Sequence, residues 1–265
     1  MTTTMRLHSL LFILLTPVMA LYAATPSPFH AAQCEGVYPQ HLQGICTNQR
    51  DAIYWSFTDN LVKTDLDGRI QKKIKVARHH GDLCFVNGKV YVAVNLGKFD
   101  LPAGREDSWV YEYDAQSLKE LSRHPVPELV HGSGGITFHD GRFIVVGGLP
   151  PGADDNLLYE YDTSFHFVKR HLLGSGYTLM GIQTATWSEG SWWFGCYGKP
   201  AVVLRAGADL GFSGQWVFNA ACGLEGLSDG RFLVGVDAGQ KGEGHTGRVE
   251  LVEKDEKLGL RLVRP

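Results

Sequence analysis

The sequence has no block of basic residues and little net charge: 25 Lys and Arg stand against 28 Asp and Glu, a formal −3. That leaves no cationic stripe to neutralise phosphates, so no nucleic-acid partner is expected. Low-complexity tails and linkers are missing as well, and 265 residues are enough for one well-buried domain. There is no Gly-x-Ser-x-Gly elbow, no Walker-type loop and no His-Glu-x-x-His, so no catalytic class announces itself by motif. Long apolar runs are scarce. The stretch Leu10-Leu11-Phe12-Ile13-Leu14-Leu15 follows Arg6 and precedes Pro17, Ala20, Ala23 and Ala24. A positive start, a short apolar core and small residues predict a signal peptide over residues 1–24, cut near Ala23 or Ala24. The run is short for a membrane span, although a retained N-terminal anchor is the alternative. With no Cys at the cleavage point, a lipoprotein anchor is not expected. The mature protein is expected to be secreted or periplasmic, with no membrane span once the signal is removed.

Cysteine is limited to five positions, 34, 46, 84, 196 and 222. In an exported chain Cys34 and Cys46 are the natural local disulfide, and Cys196 and Cys222 are placed to meet across neighbouring repeats. The odd count leaves a free thiol, and Cys84, between Leu83 and Phe85, reads as a buried, inert one.

What the chain has in quantity is glycine, 32 residues scattered among aromatics and valines. Five stretches carry it in one pattern: Gln43-Gly44-Ile45, His80-Gly81-Asp82, Ser133-Gly134-Gly135, Met180-Gly181-Ile182 and Cys222-Gly223-Leu224. After four of them a short apolar run leads to a tight turn, Asn87-Gly88, Asp140-Gly141, Glu189-Gly190 or Asp229-Gly230. A second β-rich run follows, then a third, of which Tyr111-Glu112-Tyr113-Asp114 and Tyr159-Glu160-Tyr161-Asp162 are near copies. The period of about 40–50 residues is that of propeller blades. The expected fold is all-β, a five-bladed β-propeller of four-stranded antiparallel blades over residues 42–265, with residues 25–41 as a lead-in segment. Blade one is expected over 42–76, with strands at 44–47, 52–56, 61–65 and 69–75. Each blade contains its own four strands in order, so closure by a strand from the opposite terminus is not expected; side-chain packing, helped by residues 36–40, would close the ring.

The long loops, 95–107, 147–156 and 237–246, all join second to third strands, which places them on the face where the five glycine stretches begin. Loops of that length are commonly functional, and the site is expected there, in an axial funnel. The polar residues entering it are Gln43, His79, His80, Asp82, His131, Gln183 and Glu225. Such a ring suits a divalent metal held by imidazole and carboxylate, acid–base chemistry or a hydrogen-bonding pocket. Glu225, flanked by Leu224 and Leu227, is the first candidate for a carboxyl of raised pKa; Asp82 is the second, with His80 or His131 as partner. Tyr197 and Trp109 are candidate stacking surfaces at the rim. The paired Tyr-Glu-Tyr-Asp segments and His124, His139, His166 and His171 are assigned no site role. The expected partner is a small polar molecule, carbohydrate included, bound by a monomer; turnover by a hydrolase, lyase or cyclotransferase is the alternative.

The repeat rhythm resembles that of secreted five-bladed propellers. Gln43-Gly44-Ile45 is similar to the first-blade Gln-Gly-Leu of the plant and bacterial type of glutaminyl cyclase. On the next strand that family has Glu-Ser-Thr-Gly where this chain has Trp55-Ser56-Phe57-Thr58, so the resemblance carries no catalytic acid to that strand.

Overall fold

The computed structural model describes residues 28–239 and 242–263; the signal peptide expected over 1–24 lies outside them. The architecture is an all-β propeller, and the described residues form no helix. They form nineteen strands, from β1 (Ala32–Gln33) to β19 (Gly259–Leu262), in four antiparallel sheets. The first sheet orders β2 (Gly44–Thr47), β3 (Ile53–Thr64), β4 (Ile70–Val86), β5 (Lys89–Asn95), β6 (Ser108–Asp114) and β7 (Glu120–Pro125). The second holds β8 (Ser133–His139), β9 (Arg142–Gly147), β10 (Leu157–Tyr161) and β11 (Phe167–Leu172). The third holds β12 (Leu179–Ser188), β13 (Ser191–Tyr197), β14 (Val202–Ala206) and β15 (Phe212–Val217). The fourth contains β16 (Leu224–Gly226), β17 (Phe232–Asp237), β18 (Gly247–Asp255), β19 and β1.

The six-stranded sheet departs from the expected boundaries for two local reasons. Trp55 Nε1 donates to Thr64 Oγ1 at 3.0 Å. Nine residues of straight strand would span about 30 Å, so β3 must double back. It does so beside Thr58, whose φ is +41°. β4, in turn, runs on without a break. Its first half is an exposed outer strand and its second half, from His80, is a buried inner one.

Each inner strand contacts the next, β2 to β4 to β8 to β12 to β16 and back to β2, which closes a ring about an axis. The core lies between neighbouring units because alternate residues of a strand face opposite sides. On β13, Trp192 and Phe194 pack into one cluster while Trp193 packs into the next. On β3, Tyr54 and Trp55 divide in the same way. This separation also decides the cysteines. Cys34 and Cys46 lie in different clusters, and all five thiols are free, contrary to the disulfides expected above.

The turns from third to fourth strand repeat one device, an Asp carboxylate accepting backbone N–H groups just beyond it. Asp65 takes those of Asp67 and Arg69, Asp114 that of Ser117, and Asp162 those of Ser164 and His166. Asp209 takes that of Gly211, and Asp255 those of Lys257 and Leu258. The Tyr-Glu-Tyr-Asp segments supply two of these carboxylates. Their glutamates pair across the sheet as well, Glu112 with Lys89 and His124, Glu160 with Arg142 and His171.

Ring closure differs from the expectation. The outer edge of β18 is covered by two pieces of chain. β19 pairs with Val252 to Asp255, and the Val263 N–H reaches the Leu251 carbonyl at 2.9 Å. β1 then pairs Ala32 with Val249 and Gln33 with Arg248. Cys34 N donates to Gly247 O, and Tyr38 and His245 exchange both backbone bonds, each at 2.8 Å. The N-terminal segment therefore completes the last sheet by main-chain hydrogen bonds. A two-residue strand is too short to leave a periodic pattern in sequence.

Gly68 guards this seam. Its φ is +84°, its carbonyl accepts from Glu35 N at 2.9 Å, and a Cβ there would collide with the Gln33 carbonyl. Gly68→Ala is expected to destabilise the protein by about 2 kcal/mol or more. Gly88→Ala, at φ +81° but with nothing within 4 Å of the new Cβ, should cost only the local strain, about 1 kcal/mol. Urea melts of the two variants check the difference.

Candidate functional site

The loops expected over the axis are there, and they interlock. Asp100 donates its N–H to His131 O and accepts from Leu149 N, both at 2.9 Å, tying the 95–107 loop to the next two connections. Asp237 Oδ1 accepts from Leu42 N at 3.0 Å, which fixes the end of β17 to the segment entering β2. Below these loops the inner strands lose their regular register. Shifts fall between His80 and Leu83, Ser133 and Gly135, and Leu179, Ile182 and Thr184. Bulges re-aim side chains and concentrate near functional sites. At β12, Met180 and Gly181 both take positive φ, +60° and +72°. That turn lets Gln183 Nε2 donate to Met180 O at 2.7 Å.

Inside this collar lies a cavity of about 130 Å³. Its walls are His41, Gln43, His79, Gln183, Tyr197, Phe99 and Met180, with Gly81 and Gly134 completing the lining. A side chain at Gly81 would strike the Gly134 carbonyl, and Phe99 packs over Gly134, so bare backbone is required there. Gln43 is the hub. Its Nε2 stands 2.9 Å from His41 Nε2, 2.9 Å from His79 Nε2 and 3.2 Å from Thr58 Oγ1. The amide NH₂ has two hydrogens for these three partners, and an imidazole that accepts one offers a lone pair at Nε2 and is neutral. Burial acts in the same direction, lowering the pKa of His41 and taking that of His79 down to about 4. Tyr197 bonds to Cys222, and burial raises both groups, the thiol to about 11. Behind His41, His245 Nδ1 lies 2.9 Å from Asp237 Oδ2.

Four residues singled out by the sequence thus meet in one cavity: Gln43, His79, Gln183 and Tyr197. The other five sit elsewhere. Trp109 bonds through Nε1 to Asp107 at 2.6 Å and packs on the outer part of its sheet. His131 is on the rim, with Nδ1 2.9 Å from Leu101 O. His80 turns away from the axis into the sheet, with Nε2 2.7 Å from Tyr113 Oη and Nδ1 2.6 Å from Ala77 O.

Asp82 is fully buried at the axis, where its Oδ2 accepts from Ala185 N at 3.0 Å. It touches Gly44, at which any Cβ would collide with it. Burial raises its pKa well above the usual carboxylate range. Glu225 accepts from Thr47 N at 3.1 Å, Thr47 Oγ1 at 3.2 Å and Gln49 Nε2 at 3.2 Å, and burial pushes its pKa up to about 7. Thr47 is four residues along β2 from Gln43, or about 13 Å. Glu225 therefore belongs to the opposite end of the axis.

His41, Phe99 and Met180 are the lining residues the sequence reading missed. His41 had a usable signal, since it stands two residues before Gln43 on an extended chain and so shares its side. Phe99 had none, because it comes from an irregular loop. Among the described residues no group of three His, Cys, Asp or Glu side chains is placed to hold a metal ion.

No family model matches the chain, and no curated protein matches it in sequence. Its structure is similar to that of the glutaminyl cyclase of Myxococcus xanthus, with a TM-score of 0.58 and 11% identity over 84% of this chain and 98% of that one. It is similar also to xylan β-1,4-xylosidase from Bacillus halodurans C-125, with a TM-score of 0.58 and 15% identity. That match covers 87% of this chain but 56% of the xylosidase. At such identities the likeness is one of fold.

The buried groups bracket the pH range of stability. Glu225 has a folded pKa raised from 4.5 to about 7, so its contribution is complete below pH 4.5 and lost as pH rises through 7. His79 and His80 are depressed from 6.5 to about 4, so theirs is complete above pH 6.5 and lost as pH falls toward 4. Urea melts should show Glu225→Gln removing about 2–3 kcal/mol of the alkaline loss while leaving the acid limb unchanged.

Proposed function

We propose that the ring is a five-bladed propeller of four-stranded blades, that the protein is exported, and that it binds a small polar ligand in the axial cavity under the long loops. Five inner strands in cyclic contact and five Asp-held turns support the blade count. The six-stranded sheet then counts as two blades joined through β4. Export rests on the sequence of residues 1–24 alone.

The observation that carries the binding reading is the pair of glutamines. Gln43 and Gln183 line the cavity at only 5% and 6% exposure. Each amide nitrogen donates to the protein, that of Gln183 through one of its two hydrogens, while its carbonyl oxygen accepts no bond from the described residues. Neither oxygen is sealed in as a buried unpartnered atom, so each is open to the cavity, where a ligand or water is its natural partner. The catalytic alternative, with Glu225 or Asp82 as acid or base, has neither carboxyl in the lining of this cavity. Binding without turnover is the simpler use of this geometry.

A thermal-shift screen of the mature protein against neutral sugars and small peptides tests the proposal. A stabilising ligand should lose about tenfold in affinity on Gln183→Met, the loss of one hydrogen bond, and nothing on Trp109→Phe. Equal loss in both variants, or none in either, would place the site elsewhere. Turnover abolished by Glu225→Gln with binding intact would favour the enzyme.

A further inference from the structure

We propose that the cavity selects an uncharged ligand group of about six non-hydrogen atoms. That group donates hydrogen bonds to the Gln43 and Gln183 carbonyl oxygens and lays an apolar face against Phe99 and Met180. The inference rests on the binding reading above and adds the chemical class of what is bound.

Size comes first. The cavity measures about 130 Å³, and an apolar cavity of about 150 Å³ accommodates benzene. Six or so atoms therefore fit inside the collar, and the rest of any larger ligand must extend out past the loops.

Charge is decided by what the lining lacks. Among the described residues, no Asp, Glu, Lys or Arg lines the cavity. Both imidazoles present Nε2 to the Gln43 amide nitrogen at 2.9 Å, a contact that suits the neutral ring, and burial favours the same form. The charges around it stand outside the lining. Arg78 donates to Gln40 Oε1 at 3.0 Å, and Asp237 holds His245, Leu42 N and Gly239 N. Asp82, buried at the axis, is pushed toward its neutral form and holds Ala185 N. An anion would meet carbonyl oxygens with no cation among the described lining residues, Arg78 standing behind the imidazoles. A cation would meet those oxygens and aromatic faces. The hydration lost by a full charge on burial still exceeds what an aromatic face returns.

Donors follow from the same two glutamines. Gln43 commits its amide hydrogens to the protein and Gln183 commits one of its two to Met180 O, so the two carbonyl oxygens call for protons from the ligand while one Gln183 N–H is left to donate. Gln43 cannot easily reverse this arrangement, because turning its amide would require both imidazoles to change tautomer together.

A set of matched aromatic probes separates the requirements: benzyl alcohol, benzylammonium, benzoate and toluene share one ring and differ in charge or donor. Titrations at pH 7 would follow the side-chain amide signals of Gln43 and Gln183 in ¹⁵N-labelled mature protein. Gln183→Met and Phe99→Ala would serve as separate checks on location. Benzyl alcohol is expected to bind at these signals at least tenfold more tightly than either ion and several-fold more tightly than toluene. Either ion binding there as tightly would overturn the charge selection while leaving the cavity a binding site. Toluene binding equally would overturn the donor requirement. No perturbation by any of the four would remove both this inference and the binding reading of the cavity.

Discussion

The close approach of the inner strands at the axis governs this molecule. Asp82 reaches from β4 to the backbone of β12 and presses on Gly44 of β2, so one carboxyl links three inner strands. Glu225 does the equivalent work between β16 and β2, at the other end of the axis. Such contacts require glycine at the crossing points, because backbone stands where a Cβ would be. They also draw the carboxyls out of water, which shifts their protonation and fixes them in place. The two acids that the sequence singled out thus also tie the frame together.

The cavity follows from the same constraint. Where the inner strands leave the crowded axis they bulge, and the bulges turn Met180, Gln183 and His79 inward above the glycine level. The loops then interlock over them through Asp100 and Asp237. Among the described residues the resulting wall is polar without a charged side chain in its lining, the nearby Arg78 and Asp237 being held outside it.

The sequence showed the rhythm of the fold for a physical reason. Each repeat needs a glycine at the axis and a left-handed turn beyond it, and few residue types serve either purpose. It did not show the closure, since Ala32 and Gln33 are a strand only by virtue of the edge they meet. The site was half legible. Choosing polar residues at the glycine stretches found Gln43, His79, Gln183 and Tyr197. It could not tell His79, which faces the cavity, from His80, which faces the sheet. Consecutive strand residues point to opposite sides, and the bulge that sets their direction has no sequence signature. Trp109 lies outside the cavity lining, its polar tip held by Asp107 two residues away.

The split outer strand of the last sheet has a topological consequence. Val263 pairs opposite Leu251 and Ala32 opposite Val249, in one direction along a single edge of β18. The two ends of the ring thus follow one another like the sides of a nick in a continuous ribbon. Seen this way the domain is a circle cut at one place, and the cut is set by gene order rather than by packing. Joining the two sides would keep the paired edge of β18, and a new cut in any Xaa-Gly hairpin on the far face would present the same cavity on a chain that begins elsewhere.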